Sequence, residues 1–239
     1  MVQSGSSEVV PSAVASQRVA DSLRELILSG QLMAGARIRQ EDIAIQLGAS
    51  RLPVREALRI LESEGLTTLK ANSGAWVSKV DLEECRAIYK VRERVEPLAL
   101  QESIPHLTAR DHAELDRIQH EIENVTDVET FLVLDRELHR LTYSACQIDL
   151  LLSMVQRFWN TTQHYRRAYS TITRHERQWV INAEHRLLID AIKRRDSEDA
   201  ERILIGHIRR TRHELEQHPE LFEHPQRADD QGYPSPRNL

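Results

Sequence analysis

The apolar positions of the chain recur mostly at helical spacing, with one short exception around residue 70. In the first eighty residues three helical segments end at turn residues, Ser29-Gly30, Gly48 and Gly65. Two stretches with alternating side chains follow, on either side of the turn residues Ala71-Asn72-Ser73-Gly74. The pattern predicts three helices and then a β-hairpin: helices from Gln17 to about 28, over 41–47 and over 51–64, and strands over 66–70 and 75–80.

From Asp81 onward the spacing is helical throughout. Thr108, Asp127, and Asp196 or Ser197 precede helical segments and are good N-cap residues. Because no strand alternation occurs between 81 and 218, the sequence predicts an antiparallel helical bundle there. Six helices are expected, over 82–103, 108–124, 128–146, 148–170, 174–194 and 197–217.

These elements divide the chain into two domains with flexible ends. Three helices followed by a hairpin is the order of a winged helix-turn-helix. The predicted fold class is therefore mainly α, an N-terminal winged helix-turn-helix plus a C-terminal antiparallel α-helical bundle. The expected boundaries are a flexible tail over 1–15, the DNA-binding domain over 16–80, the bundle over 81–218 and a second flexible tail over 219–239.

The charge of the chain is unevenly distributed. The formal net charge of -5 and pI near 6.1 argue, as averages, against a nucleic-acid binder. Residues 1–80, however, hold nine Lys/Arg and eight Asp/Glu, whereas the remainder holds 23 and 29 together with all eleven histidines. The acidity thus belongs to the predicted bundle.

The lack of paired cysteines, of a signal peptide and of a long apolar run indicates where in the cell the protein is expected. The two cysteines, Cys85 and Cys146, are far apart and in no CxxC pair, which argues against a disulfide scaffold or a zinc-cysteine site. The N-terminus shows no signal peptide, and no apolar run is long enough to span a bilayer. We therefore expect a cytoplasmic protein without a membrane partner.

The segment after Gly48 carries the strongest sign of DNA binding. A short helix, a tight turn and a longer helix form the geometry that places a helix in the major groove. Ser50 can cap that second helix, and Arg51, Arg55 and Arg59 follow near one face, suited to phosphate contact and guanine recognition. The alternative for these arginines is a solvated face, with Arg59 paired to Glu62. The hairpin tip at Asn72 and Gly74 is expected to approach the minor groove or the backbone.

The run AGARIRQEDIAIQLGASRLPVREALRILESEGL, with NSGAWV after it, resembles the DNA-binding domain of the GntR family of bacterial regulators. The resemblance implies that Arg51 and Arg55 contact bases or phosphates and that Gly74 shapes the wing tip. Many members carry a basic residue in the wing where this chain has Ser73. We therefore expect the wing to contribute less to affinity.

Four residues of the bundle can meet in one layer. Asp135 and His139 are spaced i, i+4 and share a helix face. His185 and His207 each lie about eleven residues from the turn near 196, which places them at the same height in a helical hairpin. One carboxylate and three imidazoles can hold a divalent ion, zinc first, with nickel or manganese as alternatives. The bland alternative is a set of hydrogen-bonded core histidines.

The segments YKVRERVEPLAL, FLVLDRELHRL and EHRLLIDAIKRRDSEDA resemble the FCD ligand-binding domain of the FadR subfamily, in its six-helix, VanR-like variety. In metal-binding members the positions matching Asp135, His139, His185 and His207 ligate a divalent ion. The matching arginine, Arg92, often faces the effector cavity, although a salt bridge with Glu96 is its simpler role. Residues expected to line that cavity are Trp159, Tyr165 and Asn182.

These features together predict a regulator, not an enzyme. A homodimer would bind a near-palindromic double-stranded operator, as a repressor, under the control of a small carboxylate bound in the metal-containing bundle. Three alternatives remain: a metal-dependent hydrolase with a helical catalytic domain, a regulator that senses the metal itself, and a structural bundle without an effector.

Overall fold

A computed structural model describes residues 12–71 and 74–223 of the chain, without the side chains of Ser12 and residues 173–177. The chain divides into two compact units between Lys79 and Val80. Each unit has its own apolar core. The expected winged helix-turn-helix and helical bundle are thus both present.

The N-terminal unit contains three helices and a small antiparallel sheet with strand order β1-β3-β2. In the sheet Trp76 lies opposite Arg37 on one side and Thr68 on the other. The bounds are α1 Ser12–Leu28, β1 Arg37–Ile38, α2 Gln40–Gln46, α3 Arg51–Ser63, β2 Thr67–Lys70 and β3 Gly74–Val77.

Two details of this unit differ from the sequence-based expectation. Helix α1 begins at Ser12, so the expected tail over 1–15 is wrong for its last four residues, and residues 1–11 lie outside the described part. Strand β1 was not expected, because a two-residue strand is too short to show alternation. The hairpin is confirmed, but Asn72 and Ser73 at its tip also lie outside the described residues.

The C-terminal unit is helical throughout its described part. Thr108, Asp127 and Asp196 each accept a backbone hydrogen bond as N-cap residues, as their sequence positions predicted. The helices are α4 Leu82–Ser103, α5 Ala109–Asn124, α6 Val128–Tyr143, α7 Asp149–Lys193 and α8 Ser197–Glu216, with short 3-10 turns at Ile104–His106 and Pro219–Phe222.

Helix α7 replaces two of the six predicted helices. Its backbone is helical over 45 residues, which contain no glycine or proline to end it. It is nevertheless sharply bent: the rings of Trp159 and His185 both lie 5.2 Å from the ring of His139. These residues are 26 positions apart and would be separated by about 39 Å in a straight helix. The prediction of separate helices over 148–170 and 174–194 is therefore wrong, because one continuous helix bends between Trp159 and His185. We call the part before the bend the first arm of α7 and the part after it the second arm.

The chain beyond α8 packs back onto the bundle. Phe222 stacks on Tyr165 with a centroid distance of 4.5 Å. The prediction of a flexible tail from residue 219 is therefore wrong for residues 219–222. Residues 224–239 lie outside the described part. Among the described residues no helix is both long and apolar enough to cross a membrane.

Candidate DNA-binding surface and metal centre

The amphipathic pattern of α3 determines which of its side chains face solvent. Its apolar face, which includes Val54, Leu58 and Leu61, is buried in the core of the unit. The opposite face leaves the side chains of Arg51, Arg55 and Arg59 exposed by 75%, 56% and 58%. The structure therefore presents all three predicted arginines on the surface of the unit.

The ion pairs of these arginines are with exposed acids. Arg51 Nη2 lies 2.5 Å from Glu41 Oε1, and Arg59 Nη1 lies 2.9 Å from Glu56 Oε1. Arg59 therefore pairs with Glu56 and not with Glu62, whose Oε1 accepts from the backbone N–H of Leu69 at 2.8 Å. Exposed pairs contribute about 0–1 kcal/mol, so DNA phosphates can replace these acids at little cost.

The turns on either side of α3 depend on backbone conformation. Ser50 occupies the predicted N-cap position with extended backbone angles, but its side chain makes no capping hydrogen bond. Gly48 has φ +57° in the turn before it. Gly74 opens β3 with φ +121°, a region that L side chains rarely adopt, which gives this wing position a reason to be glycine.

The sheet carries a basic surface that the sequence analysis missed. Trp76 of β3 lies beneath two cations, with the Arg37 guanidinium 5.8 Å and the Lys70 ammonium 5.0 Å from its ring centroid. Only the strand register brings these residues together. Positive charge thus lies beside the wing, although the tip itself was expected to contribute little.

Three predicted ligands of the bundle form a compact cluster. One ring nitrogen each from His139, His185 and His207 lies within 4.8 Å of the others. Their ring centroids are 5.1–5.2 Å apart. His139 and His185 are buried, whereas His207 is half-buried. Helix α6 and the second arm of α7 therefore meet α8 at one point, as the spacing predicted.

Acceptors behind two of the imidazoles orient them. His185 Nδ1 lies 2.9 Å from Gln119 Oε1, and His207 Nδ1 lies 2.7 Å from Glu184 Oε2. If each Nδ1–H donates to its oxygen, both Nε2 lone pairs are left for a metal, as in metal sites with an outer layer of acceptors. Burial lowers the pKa of His185 to about 3 and lowers that of His207. These imidazoles are thus neutral, the form that binds metal.

His139 supports the metal interpretation most directly. Neither of its ring nitrogens has a hydrogen-bond partner although both are buried, and Nε2 of His185 is in the same state. Burial first, and then His207, lowers the pKa of His139 well below its usual value. A buried imidazole without partners is costly, and a divalent ion would satisfy it. The donor set therefore fits a metal better than a hydrogen-bonded core.

Asp135 lies at the edge of this cluster. Its Oδ1 is 3.5 Å from His185 Nε2, and its Oδ2 accepts a hydrogen bond from Arg166. It is not part of the group of three mutually close donors. The structure thus brings the fourth predicted ligand next to the imidazoles and pairs it with an arginine that the sequence analysis did not single out.

A small cavity of about 50 Å³ adjoins the cluster. Arg92 and Arg166 both line it, and each is paired with its own carboxylate. Their guanidinium carbons lie 4.9 Å and 4.1 Å from the ring centroid of Trp159. Glu96, which is fully buried, accepts from Arg92 Nε at 2.5 Å, from Tyr143 at 2.8 Å and from Trp159 Nε1 at 3.1 Å. Arg92 therefore both forms the salt bridge with Glu96 and lines the cavity, the two positions that the sequence analysis gave as alternatives.

Two residues expected in the cavity lie elsewhere. The hydroxyl of Tyr165 donates to the carbonyl of Val80 at 2.6 Å and accepts from its N–H at 2.9 Å. Asn182 accepts a long bond, 3.4 Å, from the amide of Gln119 behind the cluster. Neither lines the cavity. Aromatic and amide side chains at helical spacing gave no signal of which face they occupy.

Comparison with known families matches both units. Residues 15–77 match the family of bacterial regulatory proteins called gntR, and residues 87–210 match the FCD domain. The chain belongs to the gntR family. It is a DNA-binding transcriptional regulator of this family, with an FCD domain as its helical bundle.

Individual relatives agree with this assignment. An HTH-type transcriptional regulator of Streptomyces ambofaciens is 30% identical over 211 residues, which cover 84% of this chain and 86% of that protein. The HTH-type transcriptional repressor RspR of Escherichia coli is 20% identical over 201 residues, 83% of this chain and 87% of its own. The solved structure of E. coli McbR/YncC has the same fold, with a TM-score of 0.75 at 23% identity over 85% of this chain and 97% of that one.

Proposed function

We propose that this regulator is a repressor whose operator binding is controlled by a small carboxylate bound beside a divalent metal ion in the FCD domain. The observation that carries the proposal is the cluster of His139, His185 and His207, placed against a cavity that holds two arginines. Arginine binds carboxylates bidentately, and a metal with three imidazoles has positions left for one more anion. The name of RspR supports repression over activation.

The metal would be held by His139, His185 and His207 with Asp135 as the fourth ligand. When bound, it would supply a Lewis-acidic centre for an anionic effector. Zinc is the first choice, with nickel or manganese as alternatives, because imidazole with one carboxylate suits all three. Gln119 and Glu184 would keep two of the imidazoles aimed at it.

DNA contact is proposed for Ser50, Arg51, Arg55, Arg59 and the wing around Gly74. A homodimer would place two copies of α3 in successive major grooves of a near-palindromic operator. Two exposed apolar side chains of α4, Val91 and Leu98, lie seven residues apart on one side of the helix and support self-association. Effector binding would then change the population of the dimer arrangement that fits the operator.

A gel-shift titration tests the DNA-binding part. Duplex DNA selected from a random pool by the wild-type protein serves as operator. Arg55→Ala is expected to lower operator affinity by about ten- to a hundredfold, the cost of one arginine–guanine contact. Arg202→Ala, which removes an exposed arginine of α8, is the matched control and should bind like wild type. Wild-type binding by Arg55→Ala would contradict the proposed surface.

A second titration separates the effector from the metal. Operator affinity is measured with chelator-treated and zinc-loaded protein, each with and without a panel of small organic acids. The proposal expects an acid-dependent loss of affinity that is larger with zinc. A loss with zinc alone would instead identify a metal sensor, and turnover of ester or phosphoester substrates would identify a hydrolase.

A further inference from the structure

The carboxylate of Asp135 is shared between two neighbours. Its Oδ1 lies 3.5 Å from Nε2 of His185, and its Oδ2 accepts from the guanidinium of Arg166. The carboxylate is buried. The group best placed to complete the metal site is therefore already the counter-ion of a buried arginine.

Arg166 has contacts that do not depend on Asp135. Its guanidinium carbon lies 4.1 Å from the ring centroid of Trp159, and its Nη1 donates to Gln163 Oε1 at 3.3 Å. The side chain also lines the cavity. If its hold on Asp135 weakens, the stacking and the amide contact keep the guanidinium in the cavity.

The second cavity arginine is placed differently. Arg92 is bound to Glu96, whose other carboxylate oxygen accepts from Tyr143 and Trp159. Neither Arg92 nor Glu96 touches a member of the imidazole cluster through an ion pair or hydrogen bond among the described contacts. Of the two cavity arginines, only Arg166 is paired with a carboxylate, Asp135, that is itself a proposed metal ligand.

A divalent ion and a guanidinium on one small carboxylate repel each other, and coordination draws the charge of the carboxylate toward the ion. We propose that Arg166 is an internal competitor of the metal for Asp135. The ion that binds the three imidazoles takes Asp135 as its ligand, and Arg166, kept over Trp159, becomes the binding group for a carboxylate in the cavity. This inference rests on the proposed function and adds the residue that couples its two ligands.

The coupling has a definite sign. Metal binding frees a cation in the cavity, so an anion binds more tightly to the metal-loaded protein. By linkage the anion raises metal affinity by the same factor. The two ligands therefore act together, and Arg166 carries the part of the coupling that does not pass through direct coordination.

The first test measures zinc affinity of the full-length, chelator-treated protein by competition with a chromophoric chelator. Arg166→Gln removes the competitor and is expected to bind zinc about tenfold more tightly than wild type. Arg92→Gln, the other buried cavity arginine, measures the simple effect of losing a nearby positive charge and should change affinity less than threefold. In an Asp135→Asn background Arg166→Gln should bring no gain.

Three results would overturn the inference. Unchanged or weaker zinc binding by Arg166→Gln would mean that Arg166 orients Asp135 for the metal instead of competing. An equal gain in Arg92→Gln, or a gain that persists with Asp135→Asn, would leave only a charge effect. If wild-type protein binds no zinc, the metal part of the proposed function fails as well, which distinguishes the two. If Arg166→Gln does not fold, Arg166→Met, which is also neutral and keeps an unbranched stem over Trp159, is expected to give the same gain.

The second test uses acetate as the probe anion and the midpoint of thermal unfolding as the readout. Acetate should stabilise zinc-loaded wild type more than chelator-treated wild type. That zinc-dependent increment should shrink in Arg166→Gln and persist in Arg212→Gln, which removes a largely buried arginine that pairs with Glu93 and Glu216 outside the cavity. An undiminished increment in Arg166→Gln would show that acetate binds the zinc alone and would contradict the proposed role of Arg166.

Discussion

Arginine supplies the positive charge at both candidate sites, but the two units hold it in opposite surroundings. In α3 the side chains of Arg51 and Arg55 are more than half exposed, and their acidic partners face solvent too. In the bundle Arg92 and Arg166 are only 4% and 10% exposed, and each is paired with a buried carboxylate. One set is available to any phosphate that approaches, whereas the other is part of the interior.

The difference in burial determines whether an arginine pair contributes mainly to ligand binding or to the stability of the fold. An exposed pair contributes about 0–1 kcal/mol, so a ligand can take its arginine without disturbing the unit. Removal of one partner from a buried pair costs about 3–5 kcal/mol, because the other charge is left uncompensated. A ligand of the buried arginines must therefore carry a negative charge that replaces the carboxylate, as an organic acid does.

The largest expected effect tests the buried side of this comparison. Glu96→Ala leaves Arg92, Tyr143 and Trp159 without their acceptor and is expected to destabilise the bundle by about 3–5 kcal/mol. Urea unfolding followed by circular dichroism measures the change. Glu102→Ala removes an exposed carboxylate of the same helix as a control. A loss below about 1 kcal/mol for Glu96→Ala would mean that the buried pair is not structural.

A smaller effect is expected from the residues behind the imidazoles. Gln119→Ala removes the acceptor that orients His185 and should weaken zinc binding by about 10- to 100-fold. Competition with a chromophoric chelator gives the affinity. Gln101, which donates to Glu201 on another face of the bundle, provides the matched alanine control. Equal zinc affinity in both variants would remove Gln119 from the site.

Two glycine substitutions should move stability in opposite directions. Gly74→Ala places a Cβ at φ +121° and should destabilise the N-terminal unit by about 1–2 kcal/mol. Gly206→Ala lies within α8, where alanine is the better helix former by about 1 kcal/mol and its Cβ would meet Arg210 Nη2 at 3.4 Å. Thermal unfolding measures both. A stabilising Gly74→Ala would show that the wing does not need this conformation.

The smallest change is expected on the exposed side. Arg55→Ala should alter the free energy of unfolding by less than about 0.5 kcal/mol while it weakens operator binding. Chemical unfolding of the same preparation used for gel shifts measures this. A destabilisation above about 1 kcal/mol would show that Arg55 belongs to the fold, and the contrast with Arg92 would then disappear.

Local signals predicted most of the architecture. The N-caps at Thr108, Asp127 and Asp196 fixed the starts of three helices, because capping depends on a few neighbouring residues. The bend in α7 had no such signal, since neither glycine nor proline marks it. Strand β1 was missed for a related reason, as it exists only through its pairing with β3.

The candidate sites divide along the same line. The α3 arginines follow one helical period, and the three histidines follow helix height, so the exposure of the first set and the proximity of the second could be predicted. The partners Gln119 and Arg166 come from other helices or the other arm of α7, and their roles depend on tertiary packing. Tyr165 was misplaced because its hydroxyl is held by the backbone of Val80, 85 residues away in sequence.

The bend of α7 allows a single helix to supply residues to the candidate metal centre from both of its arms. The first arm contributes Trp159 and Arg166, and the second arm contributes His185, so both arms of one helix contact the imidazole cluster or the cavity beside it. A group bound by both arms would therefore link two positions that lie 26 residues apart on one helix.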